Sequence, residues 1–129
     1  MGVLDKLYEE NDPEIVEEFL NQWDYIIDDI DLVIERLETD YHNSIDELFR
    51  IFHSLKSATA FLKLDRINLF AHFVEDILDS ARKKDKATDE LIDWLFIASG
   101  QLMKWYQEIT HNKELSPIDP RVLKTPEGY

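Results

Sequence analysis

An all-α fold, an antiparallel up-down-up-down four-helix bundle, is what this sequence predicts, on three observations. Four long stretches carry apolar residues at intervals of three and four with acids between them, the pattern of helices that bury one face. The 129-residue chain has only three Gly and four Pro, and all but Gly100 lie outside those stretches, which disfavours a turn-rich β architecture. The connections are short, and short links between amphipathic helices close most simply as antiparallel neighbours.

The first long helix opens at Asn11-Asp12-Pro13-Glu14, where Asn or Asp can cap, Pro fits the first turn and Glu faces the positive dipole end. Its stripe is Val16, Phe19, Leu20, Trp23, Ile26, Ile27, Ile30, Val33, Ile34 and Leu37. Thr39 to Asn43 breaks the period, and Ser44-Ile45-Asp46-Glu47 then reads as a capping box with Ser44 as N-cap. The second helix follows to about Lys63, with Ile45, Leu48, Phe49, Phe52, Leu55, Thr59 and Leu62 as its stripe.

Asp65 can cap a third helix, whose stripe is Ile67, Phe70, Val74, Ile77, Leu78 and Ala81. The cluster Arg82, Lys83, Lys84 and Lys86 at its end complements the helix dipole. Thr88 caps a fourth, in which Leu91, Leu95, Ala98, Leu102, Trp105 and Ile109 make one face. Trp94, Phe96, Ile97 and Met103 widen that face, so this helix is expected to be covered on more than one side. Residues 1–10 could add a short N-terminal helix across one end. The last stretch, SPIDPRVLKTPEGY, has three prolines and no period, so residues 112–129 are expected as an extended tail or linker beyond a domain of residues 1–111.

The formal charge of −14 repels phosphate backbones and anionic lipid, and no basic patch offsets it, so neither nucleic acid nor a membrane is an expected partner. The chain has no cysteine, and its first residues, MGVLDKLYEEND, carry acids where a signal peptide has basic residues; a cytoplasmic protein is expected.

One segment carries candidate chemistry. With Phe52 central in the buried stripe, His53 turns about 100° away, onto the outer face of the second helix. Lys56, Ser57 and Ala60, three, four and seven places on, share its side, so the imidazole has a cation beside it and little bulk around it. That suits a histidine reached by another macromolecule, with Lys56 to steady an arriving anion; a plain solvated helical face has the same spacing. On the third helix Glu75 borders the buried row of Val74 and Leu78, from where it could reach a neighbouring helix, and it shares a face with His72 and Asp79. A carboxylate accepting the Nδ1 proton of His53 would leave the Nε2 lone pair free to attack an electrophile. Phe61, Leu69 and Phe73 fall off the buried stripes and are candidates for a docking face or for packing at the corner between the second and third helices.

"LFRIFHSLKSATAFLKL", followed by "AHFVEDILDSARK", resembles the histidine phosphotransfer (HPt) domain, most like the one at the amino end of chemotaxis-type histidine kinases. That family reads Phe-Arg-x-x-His-x-x-Lys-Gly on one helix, closes it with a glycine, and has His-x-x-Glu on the next. Phe49, Arg50, His53 and Lys56 match the first part and His72 and Glu75 the second, and the likeness covers roughly residues 14 to 110. Two positions depart from it: Ser57 stands where the glycine after the lysine would be, and Lys63 replaces the helix-closing glycine, so the corner there is expected to be built differently.

The resemblance implies that His53 is the phosphoacceptor, that Glu75 orients its ring, and that Lys56 and His72 complete a polar network, with Ser57 and Ala60 leaving room for a partner. It implies a phosphoryl carrier in two-component signalling rather than an enzyme: a monomer that takes a phosphoryl group on His53 and passes it between a histidine kinase and the receiver aspartate of a response regulator. No bound cofactor or metal is expected; ATP belongs to the kinase and Mg2+ to the receiver domain. Two other classes remain. One is a bundle that docks a receiver or kinase domain without being phosphorylated; the other is a metal site built from His53, His72, Glu75 and Asp79, against which stand the single His-x-x-Glu and the outward His53.

Overall fold

The computed structural model describes residues 2–129; Met1, part of the expected bundle domain, lies outside them. Among the described residues five helices follow in order: α1 (Val3–Glu10), α2 (Pro13–Glu35), α3 (Tyr41–Phe61), α4 (Asp65–Ala81) and α5 (Asp89–Thr110), with 3-10 turns at Arg36–Glu38 and Pro120–Leu123. The long helices α2 to α5 form the expected bundle and α1 is the short N-terminal addition. Asp12 caps α2 by accepting from the Glu14 amide, and Thr88 caps α5 by accepting from the Leu91 amide.

The core is aromatic and continuous. Phe52 of α3, Phe70 of α4 and Trp105 of α5 meet edge to face, with ring centroids 6.1 and 5.1 Å apart, while Trp23 of α2 lies 6.0 Å from Tyr106 of α5. Phe52, Phe70, Trp105 and Trp23 are fully buried, so the stripes read from the sequence are the inward faces.

Helix α3 departs from expectation at both ends. It begins at Tyr41, one turn before the expected cap, and Ser44 is buried inside the first turn instead of capping it. Tyr41 supplies the reason: its ring is buried and its hydroxyl donates to the Ala81 carbonyl at 2.7 Å, and that contact recruits the extra turn. At the other end Lys63 takes φ +58°, the Leu64 amide donates to Thr59 and the Lys63 amide to Ala60. This is the glycine-type left-handed helix closure, made with a lysine. The corner is therefore not built differently; the strain is accepted, because Leu62 and Leu64 on either side are buried and hold the turn.

Residues 112–129 are not the free extended tail expected of them. They run back over α5 as a strap: the Trp105 indole donates to the Ser116 carbonyl and the Trp94 indole to Val122, both at 2.9 Å. Val122 is completely buried, Gln101 accepts from the Asp119 amide, and Arg66 of α4 donates to the carbonyls of Leu115 and Ser116. Prolines prevent a continuous α-helix here but not packing, and the strap covers the wide apolar face of α5. Where strap and α5 join, the Asn112 side chain accepts from the Asp5 amide in α1, and a Cβ at Gly2 would collide with the Asn112 carbonyl, so that position has room only for hydrogen.

Candidate functional site

Helices α3 and α4 form one face together, and the corner at Lys63 fixes their register. Asn68 of α4 donates to the Lys56 carbonyl of α3 at 2.7 Å, tying the two helices one turn from His53. This register brings Glu75 beneath His53. One carboxylate oxygen, Oε2, lies 2.7 Å from His53 Nδ1; the other, Oε1, accepts from Lys56 Nζ at 2.7 Å. Exposure grades across the trio: the side chains of His53, Lys56 and Glu75 are 57%, 27% and 10% exposed. A buried anion thus supports an open imidazole, and Lys56 neutralises it.

The chemistry of Glu75 follows. Burial pushes its carboxyl up, but hydrogen bonds from Lys56 and His53 and the nearby positive charge outweigh this and hold it below its ordinary value. An ionised carboxylate only accepts, so the proton of the 2.7 Å contact is on His53 Nδ1. The neutral ring then carries its lone pair on Nε2, at the open edge. Ser57 and Ala60 are exposed beyond it, Ser57 bonding back to the His53 carbonyl.

Several sequence expectations change. Lys56 is not a free cation awaiting an anion, since its charge is engaged by Glu75. His72 does not join the network: it is exposed and turns to Asp76, 3.6 Å away on its own helix. Spacing puts His72 on the right side of α4, but only Glu75 is close enough to α3 to be buried against it. Of the apolar trio, Phe61 and Leu69 are exposed at 65% and 69%. Phe73 instead is half-buried and packs edge-on to Trp94, with centroids 6.2 Å apart. Phe61 borders a shallow cleft with Ile15, Phe19 and Ala58, between α2 and α3. Among the described residues no three His, Asp or Glu side chains converge on a metal position, and Asp79 is drawn to Arg82.

Two neighbours of the site were given plainer roles by the sequence. Phe49, assigned to the buried stripe, is stacked with the His53 ring, centroids 6.0 Å apart and planes within 11°. Arg82, assigned to the helix dipole, lies over Phe49 at 4.1 Å and bonds to Asp46 Oδ1 at 3.0 Å. The i, i+4 spacing of Phe49 and His53 was the available signal for the first; nothing local signals the second.

Residues 14–111 match the Hpt domain family. Over 85 residues the chain is 36% identical to the chemotaxis protein CheA of Borreliella burgdorferi, covering 64% of this chain and 10% of that protein. It is 29% identical over 94 residues to the chemotaxis protein CheA of Treponema pallidum, and 33% over 97 residues to the sensor histidine kinase CheAY of Helicobacter pylori, in both cases 70% of this chain and 12% of the relative. The chain thus spans about a tenth of the length of the curated relatives it matches. No solved structure matches it. No helix among the described residues is long and apolar enough to cross a membrane.

Proposed function

Because this chain belongs to the Hpt domain family, we propose that it accepts a phosphoryl group on His53 Nε2 and exchanges it with the receiver aspartate of a response regulator, a histidine kinase being the source or the destination. The observation that carries this reading is the bridge His53–Glu75–Lys56, with an Nδ1 contact of 2.7 Å. It holds the ring in the tautomer that leaves Nε2 nucleophilic and sets a negative charge where the ring becomes positive.

In the transfer, the Nε2 lone pair forms the N–P bond as the donor's P–O bond breaks, and the electron pair leaves on the donor oxygen. The Nδ1 proton remains on the ring, facing Glu75. Most of the barrier to such a reaction is met by alignment and by charge at the transferring group, and the partners bring both, the receiver with Mg2+ and the kinase with ATP. This domain contributes a fixed nucleophile and a clear approach over Ser57 and Ala60, with Phe61 available as apolar contact.

The test is to phosphorylate the protein and add purified receiver domains with Mg2+. Rapid loss of phosphate from His53 to some receivers and not others is expected, and His53→Gln protein should never be labelled. Docking of receivers to a protein that no kinase or small phosphodonor labels would favour the non-phosphorylated binding module instead.

A further inference from the structure

We infer that Phe49 is a positioning residue for the phosphoacceptor, held in place by Arg82; the inference rests on the reading of His53 just given. A hydrogen bond at Nδ1 restrains the imidazole at one point and leaves its plane free to tilt. The plane matters, because the Nε2 lone pair lies in it and must aim at phosphorus along the line of attack. Helical side chains lean toward the N-terminus, so the His53 ring comes down beside the residue four places earlier, Phe49. The two planes are within 11°. Glu75 therefore restrains the edge of the ring and Phe49 its face, leaving the side toward Ser57 and Ala60 open.

Phe49 is restrained in turn. It is half-buried against the core, and the Arg82 guanidinium lies 4.1 Å from its ring centre. Arg82, at the end of α4, is anchored by Asp46 of α3 at 3.0 Å and by Asp79 at 3.8 Å. The array runs Asp46, Arg82, Phe49, His53, Glu75, Lys56, and places one imidazole between the Phe49 ring and the Glu75 carboxylate. With the arginine already engaging the ring of Phe49, the phenyl serves alignment more than it stabilises a new cation. A modest effect on rate follows, about three- to tenfold, well short of loss of the nucleophile.

The test uses excess phosphoramidate as donor, so that no partner surface is involved: Nε2 forms the N–P bond, the donor P–N bond breaks and ammonia leaves. Phe49→Leu keeps apolar volume without a flat face and should react three- to tenfold more slowly. Phe49→Tyr restores the face and should react within twofold of the parent, and Arg82→Met should lie between. In all three the 15N signature of Nδ1–H on His53 should be unchanged, since Glu75 is untouched. The ring plane is read separately, without phosphorylation, from the ring-current displacement of the His53 Hδ2 and Hε1 resonances, which should persist in Phe49→Tyr and vanish in Phe49→Leu. A Phe49→Leu protein as fast as the parent, or a Tyr variant as slow as Leu, overturns the positioning role while leaving His53 as acceptor. A parent protein that takes no label on His53 overturns the acceptor reading instead, and a parent without the ring-current displacement overturns the stack itself.

Discussion

Replacing Glu75 by Gln changes one atom type and should change the chemistry of His53 completely. The carboxylate accepts from two donors, His53 Nδ1 and Lys56 Nζ, each at 2.7 Å. An amide offers one acceptor and one donor group, so it cannot satisfy both. Lys56 is the permanent donor and takes the amide oxygen, and the amide NH2 then faces His53 Nδ1, which must become an acceptor. The ring proton moves to Nε2, and the nucleophilic lone pair is turned inward. One charge-assisted hydrogen bond is worth about 1.5–3 kcal/mol, so phosphorylation should slow by about tenfold to a hundredfold. Glu75→Ala, which leaves Nδ1 to water, should slow it by no more than that. Lys56 keeps some solvent contact, so either variant should lose about 1–3 kcal/mol of stability and remain folded.

The assay is single-turnover labelling by excess phosphoramidate near neutral pH, read by intact mass under alkaline conditions, with 15N spectra of His53 reporting the tautomer. The pH dependence has a definite sign. The Glu75 carboxyl sits below its ordinary value when folded, so its contribution to stability is present above about pH 4.5 and is lost as pH falls through the folded value. The part of the stability gap between parent and Glu75→Gln that comes from the carboxylate itself should shrink as pH is taken below about 4.5. A Gln variant with parental rate and parental tautomer would refute this account of the carboxylate.

Lys63→Gly should stabilise the fold by roughly 0.5–1 kcal/mol, or about 2–4 °C in Tm, the relief at φ +58° exceeding the entropy lost by glycine; a drop in Tm would mean that the lysine side chain contributes more than its backbone costs. Ala60→Leu should leave labelling by phosphoramidate intact but slow transfer to a receiver domain at least tenfold, since only a macromolecular partner needs that space; equal slowing of both would place the obstruction at the imidazole itself. Val122→Asp should cost at least about 2 kcal/mol in urea unfolding, because a fully buried side chain of the strap becomes a charge, whereas a mere linker would tolerate it without change.

What could be read from the sequence depended on the range of the interaction. Helix stripes are local, and Val16 to Leu37, Ile67 to Ala81 and Leu91 to Ile109 could be placed from spacing alone. The His53–Glu75 pair was legible because Glu75 borders the buried row of α4, from where its side chain reaches across to the outward-turned His53 of α3. Contacts that depend on the exact rotation or ends of helices were not legible. His72 and Glu75 are three residues apart, yet one faces solvent and the other α3. The Tyr41–Ala81 bond spans 40 residues and lengthened α3 past a plausible capping box. The strap was hidden behind its prolines, although the excess width of the α5 face, Trp94 above all, was the sign that a cover existed.

The most direct test of the central claim is the position of the phosphate on the ring. Uniformly 15N-labelled protein, phosphorylated and kept alkaline, can be examined by 15N–31P correlation with His53 assigned against His42, His72 and His111. The proposed transfer to His53 predicts a coupling from phosphorus to His53 Nε2, with Nδ1 still directed at Glu75. Phosphorus bonded to Nδ1 of His53, or to any of the other three histidines, would contradict it.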